Sequence, residues 1–174
     1  MTIIVMVLIS CENSLDKVKQ FVETETIDGV LAYDVVITRS DSGMVVAELR
    51  APLMFSTEGD SAKLEFPKGF VAVMFDDTVP AAQIQAKYGI SYEKQQIVFA
   101  SDSVVAKNLQ TNETLYSDTL VWHQKSHKIY THGPVKITTP DKIIFGDSLT
   151  ASEDFSKRVI YGIKATLEIE EDED

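Results

Sequence analysis

From Gly29 onward, apolar and polar residues alternate with period two, and short turn signals keep interrupting the alternation. Val45, Ala47, Leu49 and Ala51 alternate with Val46, Glu48 and Arg50. Ala62, Leu64 and Phe66 alternate with Lys63 and Glu65, and Ala165, Leu167 and Ile169 with Lys164, Thr166 and Glu168. Side chains of a strand point to opposite faces in turn, so these segments are expected to be strands with one wet face. Asp41-Ser42-Gly43, Glu58-Gly59-Asp60, Pro67-Lys68-Gly69, Thr111-Asn112, His132-Gly133-Pro134 and Pro140-Asp141 supply the turns between them. The pattern predicts an all-β body over residues 29–169, made of many short antiparallel strands. It lacks the helix–strand alternation of doubly wound and barrel α/β folds.

A weak repeat runs through this body. Tyr116-Ser117-Asp118-Thr119-Leu120 and Phe145-Gly146-Asp147-Ser148-Leu149 share aromatic-x-Asp-Ser/Thr-Leu, and Phe99 to Val104 repeats it with one extra residue. Aromatics at 99, 116, 130, 145 and 161 are separated by 17, 14, 15 and 16 residues. A unit of that size cannot close a core alone, so the units are expected to stack into an elongated body.

With 27 acidic against 16 basic residues, the chain carries a formal charge of -11, which argues against a phosphate-rich nucleic acid as partner. Six of the last seven residues are acidic, and residues 170–174 are expected to be a solvated tail. No apolar run approaches the roughly 20 residues of a membrane-spanning helix. One cysteine, Cys11, excludes an internal disulfide. It follows an unbroken apolar stretch from Ile3 to Ile9, and Leu8-Ile9-Ser10-Cys11 resembles a bacterial lipobox. Residues 1–11 are therefore expected to be a lipoprotein signal segment, with Cys11 as the site of lipid attachment. No Lys or Arg precedes Cys11, unlike a usual secretory signal, and the competing expectation is a buried first strand. In residues 12–28, Leu15, Val18, Phe21 and Val22 fall at helical spacing behind Ser14, which predicts a short helix or tether.

The run Ala47-Glu48-Leu49-Arg50-Ala51-Pro52-Leu53-Met54, then Leu64 to Phe70, Ala86 to Ile90, Thr114 to Asp118, His127 to Thr131 and Ile160 to Lys164, resembles the LptC family of lipid-anchored type. The resemblance covers residues 40–169, and the repeat is similar to that of OstA-like domains. It implies a twisted antiparallel β-jellyroll, open at both ends. In such a body the acyl chains of lipopolysaccharide would pass from an inner-membrane ABC transporter to a periplasmic LptA-like bridge protein. That is a carrier without a cofactor or chemistry of its own, held to the inner membrane by its N-terminal lipid. Many relatives have an N-terminal transmembrane helix, which a lipobox would replace here. Unpaired edges invite strand addition, so the last strand, residues 164–169, is expected to dock the bridge, with the acidic tail tuning partner choice.

An acyl conduit needs an apolar interior. Strand parity nominates Ile84, Ala86 and Tyr88, Ile97 and Phe99, Leu120 and Trp122, Val135 and Ile137, and Ile143 and Phe145 as its inward-facing residues. A filled sandwich core, in a structural or glycan-binding envelope lipoprotein, shows the same stripe. His123, His127 and His132 offer poor zinc spacing, with Lys125-Ser126 expected to turn the chain between the first two. Asp118 and Asp147 occupy equivalent turn positions, where a carboxylate can accept backbone N–H groups. No Gly-rich phosphate loop or Gly-x-Ser-x-Gly elbow is present, so an enzyme, such as a small metal-dependent hydrolase, is the weakest reading.

Overall fold

The structure, a computed structural model, describes residues 29–59 and 62–168. The expectations for residues 1–11, 12–28, 169 and the tail at 170–174 lie outside them. The described chain forms strands β1 (Gly29–Asp41), β2 (Met44–Thr57), β3 (Lys63–Phe66), β4 (Phe70–Asp76), β5 (Val79–Ala86), β6 (Tyr88–Tyr92) and β7 (Ile97–Asn108). They continue as β8 (Thr114–His123), β9 (Lys128–Thr131), β10 (Val135–Thr138), β11 (Lys142–Gly146), β12 (Ser148–Ser152), β13 (Arg158–Tyr161) and β14 (Ala165–Glu168). The only helical element among the described residues is a 3-10 turn, Gln124–Ser126, which reverses the chain between His123 and His127 as expected.

All fourteen strands belong to one antiparallel sheet, and that sheet is folded over on itself. Strand pairing shows how. The first half of β7 pairs with β6 and its second half with β5; the two halves of β8 pair with β9 and β10. Likewise β2 pairs with β4 at residues 47–50 and with β3 at residues 55–57. Long strands thus run through two layers, and shorter ones change layer at a single turn. The change falls on one line across the sheet. It lies at Asp34 opposite Pro52 in the β1–β2 pair, at Asp102 and Ser103 opposite Asp118 in the β7–β8 pair, and at Asp147 between β11 and β12. Asp34, Asp102 and Ser103 have φ of 49°, 64° and 58°, left-handed values that Asp tolerates better than most residues and that bend a strand sharply.

This line of corners is the physical content of the repeat. Its aspartates mark the fold line. Its aromatics, Phe99, Tyr116, Tyr130, Phe145 and Tyr161, stand just before the corners and face outward, Phe99 and Tyr130 in one cross-strand row and Tyr116 and Phe145 in another. The first layer contains residues 29–33 and 53–57, β3, β6, residues 97–101 and 119–123, β9, β12 and β13. The second contains residues 35–41 and 44–51, β4, β5, residues 104–108 and 114–117, β10, β11 and β14.

The two inner faces share one core cluster, with Phe66, Leu120, Ile129, Leu149 and Val104 fully buried. Beside the corner several inner residues are small or lack a side chain, Ala51, Ala86, Gly89, Ala100 and Gly146, all buried, and the rings of Phe66 and Phe70 pack among them. A Cβ on Gly89 would overlap the ring of Phe70, so the glycine makes room for that aromatic. Toward the opposite side Met74, Trp122 and Phe155 fill the core.

The two ends differ from the middle. Strand β1 pairs with β2 alone, β13 with β12 alone and β14 with β11 alone. Strand β14 was expected to bury Ala165 and Leu167 on one face, yet all four of its residues are exposed. Its alternation is real, but nothing beyond the sheet end packs on it.

Candidate functional site

The interior is a continuous apolar path along the sandwich. One cross-strand row, Ile37, Leu49, Ala72, Ile84, Ala106, Leu115, Ile137 and Ile144, follows hydrogen-bonded register from β1 to β11 without a polar interruption. The facing layer supplies Val98, Ala100, Leu120, Trp122 and Leu149.

Six of the eleven nominated residues lie in this interior: Ile84, Ala86, Leu120, Trp122, Val135 and Ile137, each at most 8% exposed. The other five do not. Tyr88, Ile97, Phe99, Ile143 and Phe145 are half-buried on outer faces, and the inward positions beside them are Gly89, Val98, Ala100, Ile144 and Gly146. Two physical causes account for the misplacement. Ile97 to Ala100 and Ile143 to Phe145 are apolar on both faces, so period two cannot phase them. Carrying the parity of Ile84 and Ala86 across the corner at Lys87 fails because the next inward residue is Gly89, three positions after Ala86. Tyr88 instead donates its phenol to Glu65 at 2.8 Å on the outer face. That bond and Lys63 hold the Glu65 carboxyl below its usual range, while burial and the carboxylate push Tyr88 up to about 12.

The interior is closed. Voids lined by Leu49, Ile84, Leu120 and Trp122, and by Ala106, Leu115, Leu149 and Phe155, are each about 10 Å³, at the lower limit for one water. An acyl chain therefore fits only if the layers part.

Opposite the corner, the rims of the layers form a mouth, and along it runs a cleft of about 680 Å³. Val46, Met74, Phe75 and Ala81 give the cleft an apolar side; Arg39, Asn108, His127 and the β12–β13 turn give it a polar one. Sequence reasoning passed over that turn, Ser152-Glu153-Asp154-Phe155-Ser156-Lys157. Its legible signal is one aromatic alone in a polar loop. Phe155 is 5% exposed and inserts into the core with φ of 59°, a left-handed value rarely taken by a bulky residue.

Polar contacts tie the turn to both layers. Asn108, itself buried, donates its amide to the Asp154 carbonyl at 2.9 Å while its oxygen accepts from the Gln110 and Thr111 backbone. Glu153 accepts from the Trp122 indole at 3.0 Å and bonds His127 Nδ1 at 2.8 Å; Arg39 lies 4.0 Å from it and 5.3 Å over the Trp122 ring. Arg158 grips Glu113 with two parallel bonds. Within the turn, burial would raise the Asp154 carboxyl, but hydrogen bonds from Ser152 and Ser156 outweigh it and leave the pKa lowered.

The three histidines go separate ways. His123 is half-buried, His127 serves Glu153, and His132 packs against Tyr130 at 5.4 Å between ring centres. Among the described residues no group of three His, Cys, Asp or Glu side chains is placed to hold a metal ion. Asp147 accepts from Lys164 at 2.5 Å across the corner.

A folded-over antiparallel sheet with an apolar lining and unpaired ends is the architecture of the OstA-like β-jellyrolls. The family model for lipopolysaccharide-assembly, LptC-related proteins matches residues 1–161, and the chain belongs to the LptC family. No curated protein matches the chain. The family acts in lipopolysaccharide transport, facing the periplasm in the envelope of Gram-negative bacteria.

Proposed function

We propose that this protein is a non-enzymatic carrier that accepts lipopolysaccharide from an inner-membrane ABC transporter and passes it to a periplasmic LptA-like bridge protein, acyl chains inside the sandwich. The observation that carries this reading is the unbroken apolar row from β1 to β11, which leads from one unpaired end of the sheet toward the other. The ends suit head-to-tail joining. Ten of the fourteen large exposed hydrophobics lie in the β1–β2 hairpin and in residues 159–167. A neighbouring jellyroll that added its strand at β13 and β14 would cover the second group and extend the path. Cys11, lipidated, would hold the chain at the inner membrane beside the transporter.

Magnitude favours partial enclosure. A chain of about 14 carbons buried completely, at about 0.8 kcal/mol per methylene, would gain roughly 11 kcal/mol and would not be handed on. The phosphorylated head stays in water, because burying its charge without partners is costly. A sandwich that closes on itself after passage lets the cargo go. The packed interior is also what favours the competing reading, a structural envelope lipoprotein with a solid core.

Photo-crosslinking amino acids at Ile84, Leu120 and Ile137, in living cells, separate the two. The expected result is lipopolysaccharide adducts at these three that depend on ATP hydrolysis, with none at the outward Phe99 and Phe145. Adducts absent from the interior, or equal at outward positions, would dismiss the carrier.

A further inference from the structure

The two sides of the sandwich are closed by different bonds. At the corner, backbone runs from layer to layer, within β1, β2, β7 and β8 and through the turns that join the shorter strands. At the mouth, the covering feature is a turn of six residues, and what fastens it across to the second layer is side-chain contacts, Asn108 to Asp154, Arg39 to Glu153 and Glu113 to Arg158, while within its own layer Glu153 is held by Trp122, by His127 Nδ1 and by a backbone bond to the His127 carbonyl. Every one of these joins the β12–β13 region to a rim. Behind them sits Phe155, the stopper between Ala106, Leu115 and Leu149. In front lies the cleft, whose apolar side leads toward the same interior.

The stopper is held against its own backbone preference. A left-handed φ is strained for a phenylalanine, and the packing of the ring and the turn's hydrogen bonds offset that strain. Glu153 is partly accessible, with a side chain 23% exposed, so its contacts can exchange with water. Breaking the cross-layer contacts frees the turn from the second layer without disturbing any strand pairing, since its remaining bonds, from Lys157 and Phe155 to Ser152 and from the Glu153 N–H to the His127 carbonyl at 3.2 Å, lie within its own layer.

We infer that the β12–β13 turn is a clasp: it holds the layers shut across the mouth, and its release lifts Phe155 from the core and admits a long acyl chain from the cleft. This rests on the carrier reading for its cargo, but not for its opening. Fastened, the clasp keeps the apolar interior from water between transfers. Unfastened, it converts a packed sandwich into a trough while the corner keeps both layers in register.

The molecule carries its own reporter, because Trp122 is the single tryptophan and is part of the clasp. Glu113→Cys with Arg158→Cys, joined by a cleavable bifunctional thiol reagent, pins the mouth. The same protein after cleavage is the folded control, with Cys11 changed to Ser. Two quantities are read: acrylamide quenching of Trp122, and loading of a doxyl-labelled stearate. The expected result is low quenching and no loading when pinned, and restoration of both on cleavage. Glu153→Gln should load about tenfold faster than the parent, the change expected for loss of one charge-assisted contact. Equal quenching in pinned and cleaved protein overturns the clasp. Quenching that differs while neither form takes up stearate keeps the opening and overturns the carrier reading, and with it the admission of an acyl chain.

Discussion

At the corner Gly69 turns the chain with φ of +81° against the Ala86 carbonyl and the Lys87 backbone, whereas at the mouth the turn that carries Phe155 is held across the layers by side-chain bonds. The first arrangement cannot yield without breaking strands. The second can yield and re-form, because each bond there joins groups that water can also satisfy. Rigid register and reversible opening are both needed by a conduit, and this chain places them on opposite sides of one core.

Substitution at Gly69 should expose that difference most strongly. Gly69→Val adds left-handed strain to an overlap with backbone that cannot move aside, and should cost roughly 2–6 kcal/mol in urea unfolding. A cost under about 1 kcal/mol would mean that the corner gives way as easily as the mouth.

Two phenylalanines sharpen the comparison. Phe66 is fully buried beside the corner, 5.7 Å from Phe70, where the flanking backbone is fixed. Phe66→Ala should therefore leave an unrelaxed cavity and cost about 4–5 kcal/mol. Phe155→Ala removes the same ring from a site whose walls can close in, and should cost about 2–3 kcal/mol while raising acrylamide quenching of Trp122. Equal costs with unchanged quenching would erase the mechanical distinction between the sides.

What was legible in the chain follows the same division. The corners are written in residues that only a bend explains, such as Pro67-Lys68-Gly69 and the recurring aspartates. The all-β body, its turns and its repeat could therefore be read directly. The facing of individual residues could not, where a strand is apolar on both sides or crosses a corner. Ile97 and Phe99 outweigh Val98 and Ala100 in hydrophobicity, yet the smaller pair is the one buried in the core. The mouth was invisible for another reason. Arg39, the loop from Asn108 to Glu113 and Glu153 are far apart in sequence, and only the folding-over of the sheet brings them to one place.

Proton binding offers the gentlest test, since it loosens one side at a time. The lowered Asp154 pKa means that its contribution is complete above 3.8 and is lost as pH falls through the folded value. Trp122 quenching should rise in that acid range, and Asp154→Asn should show less of the change. Glu65 and Asp141 are also lowered, so overall stability would not isolate the turn, whereas the tryptophan beside it does. At the other extreme Tyr88, just past the corner, has its pKa raised from 10.0 to about 12, so its bond to Glu65 contributes fully below pH 10 and is lost as pH rises through about 12. Tyr88→Phe should cost about 1 kcal/mol at neutral pH, because the bond to a carboxylate is partly screened by solvent, and that difference should shrink between pH 10 and 12. Trp122 should stay shielded throughout this alkaline interval. If alkali unshielded it in step with Tyr88 ionisation, the corner and the mouth would be one cooperative unit, and opening could not leave the strands in register.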